Sequence, residues 1–99
     1  MMRWMRVRGD SMLPRLADGD LLLVLKWFRW LGPLRAGDCV VFRHAIYGVL
    51  VKQVVELQPA AATLTVRGTR PVSLDSQELG PIALADVVGK VVWVVRKPV

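Results

Sequence analysis

The stretch that decides the fold is YGVLVKQVVEL, residues 47–57. Aliphatic and β-branched residues dominate it, and such residues favour β-strands. Side chains alternate between the two faces of a strand, and here both faces are mainly apolar. We therefore predict a long, largely buried strand that carries one lysine, Lys52, in its middle.

Shorter apolar segments on either side of this stretch predict further strands, with turn residues between them. Predicted strands cover residues 3–7, 21–25, 39–43, 63–67 and 88–95. Residues 12–16 and 84–87 can each form a short helical turn, residues 59–62 form a loop, and residues 70–81 show no regular period. The pattern predicts a mainly β protein, a small folded sheet or barrel of about six strands with one or two short helical turns.

Two turn segments have the same pattern. Leu16 to Asp20 and Leu34 to Asp38 both read Leu-x-x-Gly-Asp, and an apolar strand segment follows each of them. Gly and Asp are typical turn residues. We interpret the two segments as similar entries into strands rather than as units of a repeat protein.

The length and composition favour one domain over residues 1–99, because 99 residues of which 54% are hydrophobic can bury a core. No apolar run approaches the roughly 18 residues of a membrane span. The N-terminal residues lack the apolar centre of a secretory signal, so we expect a cytoplasmic protein. The net charge of +6 is not clustered. It allows weak attraction to anionic surfaces, but no specific nucleic-acid partner is expected.

Residues that could ligate a metal are few. Cys39 is the only cysteine and lies in an apolar run, which predicts a buried structural thiol and excludes an internal disulfide. His44 is the only histidine, and no acidic cluster lies near it, so a loop histidine is expected. We predict no metal site and no cofactor.

A serine stands at an unusual position near the N-terminus. Gly9 and Asp10 end the first predicted strand, Ser11 follows at once, and Pro14 prevents strand continuation. A serine on such a turn can present its hydroxyl and can leave backbone N–H groups unpaired, as an acyl-transfer nucleophile and its oxyanion hole require. The alternative is that Ser11 caps the short helical turn that follows it.

Lys52 also has two interpretations. In apolar surroundings desolvation favours the neutral amine and lowers a lysine pKa, so that Lys52 could act as a general base toward a serine hydroxyl. Alternatively, its stem packs on the sheet and its ammonium group reaches water. The sequence pattern alone leaves both open.

The segment of residues 26–31 combines aromatic rings with cations. Trp27, Phe28 and Trp30 could contact a membrane at headgroup depth, with Lys26 and Arg29 beside them. The alternative is that these rings close over the protein core.

Four motifs in order resemble those of signal peptidase I. Gly9-Asp10-Ser11-Met12-Leu13-Pro14 resembles its Ser-Met-x-Pro box, and Ser73-Leu74-Asp75-Ser76 resembles its late Ser-x-Asp-Ser box. Between them, Gly19-Asp20 and Gly37-Asp38 resemble its Gly-Asp strand entries, and residues 47–55 resemble its lysine strand.

The resemblance implies a Ser/Lys-dyad peptidase on a mainly β fold, of the kind also found in the self-cleaving domains of SOS-type repressors. Ser11 would be the nucleophile and Lys52 the general base. Ser73 would orient the lysine amine, and Asp75 would support that loop. The Ser11 N–H would form part of the oxyanion hole.

Two supporting positions flank the implied nucleophile, and some positions depart from the family pattern. Met12 follows Ser11 in the box. Gly9 stands where some signal peptidases carry a hydroxyl, so backbone alone would supply that contact here. Gln53 and Gln77 replace arginines of the family pattern, and the latter change puts an ion pair with Asp75 in doubt.

Size and layout resemble the small proteases thought to trim the leader of nickel-type superoxide dismutase. We therefore predict a serine endopeptidase that removes an N-terminal leader or propeptide from a protein bound in extended form beside a strand edge. The alternative is a non-catalytic basic β module that binds anionic lipid or nucleic acid.

Overall fold

The computed structural model describes residues 2–9, 12, 15–26, 34–68 and 79–97. Within these residues, seven strands form one antiparallel sheet with the spatial order β1-β2-β7-β3-β4-β5-β6. The strands are β1 (Met2–Arg6), β2 (Leu21–Leu25), β3 (Cys39–His44), β4 (Gly48–Gln58), β5 (Thr63–Arg67), β6 (Ile82–Ala83) and β7 (Val87–Val95). The prediction of a mainly β fold is confirmed.

The six predicted strands all occur, and β6 is the strand that the sequence pattern did not predict. It has two residues, too few to show alternation, and it forms by pairing with Thr63 and Leu64 of β5. The predicted turn at residues 84–87 is a 3-10 helix, Leu84–Asp86, and the predicted loop at 59–62 contains another, Pro59–Ala61. Of the region expected to be irregular, residues 70–78 lie outside the described residues.

Strand β3 is buried on both faces and separates two apolar cores. On one face Cys39 and Val41 pack with Leu22 and Val24 of β2, which we call core 1. On the other face Val40 and Phe42 belong to core 2, together with residues of β4, β5, β6 and the segment before β3: Leu34, Val54, Leu64, Val66 and Ile82. A sheet with one core on each side of its central strand holds its two halves in a fixed relation.

The predicted burial of Cys39 is confirmed, since its side chain belongs to core 1. Burial raises the pKa of the Cys39 thiol, because a thiolate would be poorly solvated there. This residue therefore serves packing rather than chemistry.

Among the described residues, the strand edges without a strand partner include two that lie near the Ser11 loop. β1 is the outermost strand on its side of the sheet. β4 pairs with β3 from Gly48 to Gln53, but β5 joins its other edge only from Gln53 onward. The edge of residues 48–52 is thus not covered by a described strand.

Candidate active site

Residues on both sides of the predicted nucleophile are described, but the nucleophile itself is not. Ser11, Ser73 and Asp75 lie outside the described residues, so their predicted roles stay predictions. Gly9 and Met12, the two supporting residues that flank Ser11, are described.

Both flanks of Ser11 are fixed by the surrounding structure. The Gly9 N–H donates a hydrogen bond to the Asp18 carboxylate, at 2.8 Å. Met12 is buried in core 1, and its carbonyl accepts the Leu16 N–H at 2.8 Å, the hydrogen bond of one helical turn. The chain is therefore anchored two residues before and one residue after the predicted nucleophile.

The loop that carries Ser11 is closed at its base between β1 and β2. The Val7 N–H donates to the Asp20 carbonyl at 2.8 Å, and the Gly19 N–H donates to the Val7 carbonyl at 2.9 Å. These bonds extend the β1–β2 pairing by one step. The loop of residues 8–19 consequently starts and ends at one point of the sheet.

A buried carboxylate, Asp20, fastens this base to the C-terminal segment. Its side chain accepts the N–H groups of Ala17 and Lys97, both at 3.0 Å, and the Arg96 guanidinium, also at 3.0 Å. These bonds, that from the Lys97 N–H foremost, lower the pKa of the Asp20 carboxyl although burial opposes ionisation. Asp20 is therefore a charged anchor for the loop.

The returning arm of the loop has two further ties. The Arg96 guanidinium donates to the Arg15 carbonyl as well as to Asp20. The Arg15 guanidinium donates to the Gly37 carbonyl at 2.9 Å, in the turn before β3. The sequence pattern did not predict these contacts. The pattern identified Asp20 as part of a Gly-Asp entry, but two of its partners, Arg96 and Lys97, lie 76 and 77 residues further along the chain.

Lys52 lies in the middle of β4, as predicted, and only 2% of its surface is exposed. It pairs across the sheet with Val40 of β3, so both side chains lie on the core 2 face. The prediction that Lys52 is poorly hydrated is confirmed. The alternative interpretation, in which its ammonium group reaches bulk water, is wrong.

One cavity of about 220 Å³ is lined by residues on both sides of Ser11 and by the three residues before Lys52, but not by Lys52 itself, whose side chain lies on the core 2 face. It lies between the end of β1 and the uncovered edge of β4, and its lining is mainly apolar. The lining residues are Met5, Arg6, Val7, Arg8, Gly9, Met12, Val49, Leu50 and Val51. The flanks of Ser11 therefore border the same space as the residues that precede Lys52.

A larger cavity, of about 610 Å³, lies elsewhere and contains none of the predicted site residues. It is lined by Met2, Arg3, Val24, Lys26, Arg43, Ala85, Asp86, Val87 and Val88. Size alone therefore does not identify the site, and the smaller cavity is the candidate because predicted site residues line it.

His44 has a structural role. It is the last residue of β3, and its Nδ1 accepts the N–H groups of Ile46 and Tyr47 at 3.1 and 3.3 Å. It thus closes the β3–β4 turn. The predicted loop histidine lies one residue before that turn, at the end of the strand. A ring nitrogen used in this way is not available as a general base.

Fold and cavity define a small mainly β domain whose cleft lies between two strand edges. Residues 1–92 match the family model described as Peptidase S24-like. The chain therefore belongs to the Peptidase S24-like family, and membership indicates a serine-peptidase type of function. A comparison with curated proteins found no match. In the described part of the chain, no helix is long and apolar enough to cross a bilayer.

Proposed function

We propose that this protein is a serine endopeptidase with a Ser11/Lys52 dyad, which removes an N-terminal leader or propeptide from a protein substrate. One observation carries the proposal: residues that flank Ser11 and residues that precede Lys52 line a single cavity. Family membership and the burial of Lys52 support it.

The proposed reaction uses the amine of Lys52 twice. Neutral Lys52 takes the hydroxyl proton of Ser11 while Oγ bonds to the scissile carbonyl carbon. The resulting ammonium group then gives that proton to the leaving amine as the peptide bond breaks. Water then attacks the acyl carbon as Lys52 accepts its proton; the bond from that carbon to Oγ breaks, the ammonium group returns the proton to Oγ, and the carboxylic acid product leaves.

The remaining site residues have supporting roles in this proposal. The Ser11 N–H donates to the developing oxyanion. Ser73 accepts or donates a hydrogen bond that orients the Lys52 amine, and Asp75 holds that loop. Gly9 has no side-chain hydroxyl that could contact the oxyanion. The hydrogen bond from its N–H to the Asp18 carboxylate fixes the backbone at this position.

The substrate would bind as an extended segment in the cavity between β1 and β4. Both edges can offer backbone N–H and C=O groups to an added strand. The apolar lining, which includes Met5, Val7 and Val51, favours small apolar side chains next to the scissile bond. The resemblance in size and layout makes the leader of nickel-type superoxide dismutase the first substrate to test.

The test is cleavage of that precursor, followed by N-terminal sequencing of the product. Ser11→Ala should abolish cleavage, and Lys52→Met, which keeps the buried volume, should slow it by roughly 10²–10⁴-fold. Lys26→Met is the matched control, because it removes an exposed lysine outside the 220 Å³ cavity, and it should cleave like the parent. Unchanged cleavage in either dyad variant would refute the mechanism.

A second substrate separates the enzyme class from the proposed substrate. A peptide with an unrelated leader should be cut more slowly if the superoxide dismutase leader is preferred. Cleavage of neither substrate, together with salt-sensitive binding of lipid or nucleic acid, would favour the alternative of a non-catalytic basic module.

A further inference from the structure

One apolar face of the half-sheet formed by β1, β2 and β7 carries exposed side chains, among them Met2 and Val95. The register places Trp4 opposite Leu23, and Leu23 opposite Trp93, so these three side chains form one row across the strands. The two indoles are 55% and 64% exposed. We call this surface the tryptophan face, with members Met2, Trp4, Leu21, Leu23, Leu25, Trp93 and Val95.

The opposite side of the same three strands is occupied by the protein itself. Met5, Leu22, Val24, Val91 and Val94 all pack in core 1. The pleat therefore commits alternate residues to the core, and it places the tryptophan face outside. In the other half of the sheet the corresponding side is covered by core 2. Large apolar side chains left exposed beside one another mark an interaction surface.

The charge on this face fits an anionic partner. Arg6 and Lys90 share it, since Arg6 pairs with Leu21 and Lys90 with Leu25. The strand positions on this face are therefore apolar or cationic, and the one described carboxylate that pairs with them is Asp38, 3.4 Å from the Lys90 amine. Indole rings beside cations are typical of proteins that lie at the headgroup level of a bilayer.

A second copy of the chain fits the face less well. Three strands about 4.8 Å apart and five residues long give a footprint of roughly 250 Å². A stable interface commonly takes about 800 Å² from each partner.

A nucleic acid fits less well also. Single-stranded nucleic acid needs a track of cations along its backbone in addition to stacking rings. Between the two indoles this face offers aliphatic side chains, such as Leu23, and its two cations stand apart on β1 and β7.

We propose that the tryptophan face is a peripheral docking surface for membranes that contain anionic lipid. Trp4 and Trp93 enter the headgroup region, and Arg6 and Lys90 attract the lipid charge. The 220 Å³ cavity is lined by Met5, on the opposite side of β1, and also by Arg6 of this face, so a docked membrane would border the cavity. The proposal does not depend on the dyad, and Ser11→Ala should dock like the parent.

Vesicle flotation tests the proposal. The parent should float with vesicles of phosphatidylcholine mixed with phosphatidylglycerol, and much less with phosphatidylcholine alone. Trp4→Ser combined with Trp93→Ser should lower partitioning by at least roughly tenfold, because two half-exposed rings lose their burial in lipid. Arg6→Gln combined with Lys90→Gln should remove most of the preference for the anionic vesicles.

The matched control is Ile46→Ser combined with Tyr47→Ser. These residues are also exposed, at 80% and 49%, but they lie in the turn between β3 and β4. This variant loses similar apolar surface away from the face, so it should float like the parent. Equal loss in both double variants would overturn the proposal, because it would show general stickiness.

A second measurement does not alter the face at all. The chain has four tryptophans, so replacing Trp27 and Trp30 by phenylalanine leaves Trp4 and Trp93 as the only indoles. Brominated phosphatidylglycerol should then quench the remaining fluorescence. Absence of quenching would overturn the proposal, and so would a loss of flotation when Trp27 and Trp30 are replaced. So would a dimer in sedimentation analysis that the Trp4 and Trp93 variant abolishes.

Discussion

The turn that leads into β2, residues 17–20, can be compared with the turn that leads into β3, residues 35–38. In each, the aspartate N–H donates to the carbonyl three residues earlier, at 3.0 Å in the first turn and 3.1 Å in the second. The aspartate carboxylate accepts the N–H of that same residue, at 3.0 and 2.8 Å respectively. The repeated Leu-x-x-Gly-Asp pattern therefore gives the same local structure twice.

The two turns differ in what surrounds the aspartate. Asp20 is buried and is bound by Arg96 and by the Lys97 N–H. Asp38 is more exposed, and its cation is Lys90, at 3.4 Å. The first turn closes the Ser11 loop, whereas the second starts β3, bonds Val54 of β4 and reaches the Ser11 loop only through Arg15. Local sequence thus specifies the turn, and the distant partners decide how much each aspartate contributes.

The largest effect should come from replacing the two aspartates. Asp20→Asn keeps the shape but removes the charge, and it should lower the free energy of unfolding by about 2–3 kcal/mol, because a buried group loses charge-assisted hydrogen bonds. Asp38→Asn should cost less than about 1 kcal/mol, as expected for a partly exposed pair. Urea unfolding of both variants measures the difference.

The same pair of variants tests the link to the site. Cleavage by Asp20→Asn should be slower than by Asp38→Asn when both are fully folded, because only Asp20 fastens the Ser11 loop. Equal losses of stability and activity in the two variants would mean that the turns are equivalent and that the C-terminal contacts are unimportant.

The Asp20 contribution should also depend on pH. The folded state lowers the pKa of this carboxyl, so its stabilising effect is complete above the unfolded value, near 3.9, and is lost as the pH falls through the lower folded value. The gap between the parent and Asp20→Asn should therefore be constant around neutral pH and should shrink below about pH 4. A gap that widens in acid would contradict the assignment.

Much of the fold could be predicted because its signals are local. Alternation of apolar residues located β1 to β5 and β7, and the two apolar faces of β4 predicted that Lys52 would be buried. β6 could not be predicted, because two residues carry no period. The partners of Asp20 could not be predicted either: Arg96 lies 76 residues away, and its contact exists only once β7 packs beside β2.

The surface and the site show the same limit. Alternation in β1 puts Trp4 opposite in direction to Met5, but only the pairing of β1, β2 and β7 places Trp4 in one row with Trp93. For the site, the motifs identified residues that line the cavity, and the order of the strands in the sheet brings those residues together. The choice of the 220 Å³ cavity as the candidate site needed both sources.

Replacement of the turn glycines should have the next largest effect. Gly19 and Gly37 have φ angles of 89° and 95°, so alanine at either position should cost roughly 1–2 kcal/mol. At Gly19 a Cβ would also lie 2.5 Å from the Lys97 Cδ, whereas at Gly37 the nearest contact is at 4.0 Å. Thermal unfolding should therefore show Gly19→Ala as the less stable variant.

A double variant sharpens that comparison. Lys97→Ala should restore part of the excess loss in Gly19→Ala and should leave Gly37→Ala unchanged. If Lys97→Ala has no effect on Gly19→Ala, the flexible lysine side chain simply moves away, and the two turns respond to the backbone alone.

The smallest effect should come from the two cations. Arg96→Ala should cost about 1 kcal/mol and Lys90→Ala a few tenths, because both side chains are partly exposed and water screens the pairs. Part of the Arg96 loss should persist in high salt, because its guanidinium also donates to the Arg15 carbonyl, a bond to a neutral group that ions screen weakly. The Lys90 loss should vanish in high salt, since its only described partner is the charge of Asp38. Urea unfolding at low and high salt separates the two, and equal salt dependence would show that Arg96 acts only as a charge and not as a tie between the C-terminal segment and the Ser11 loop.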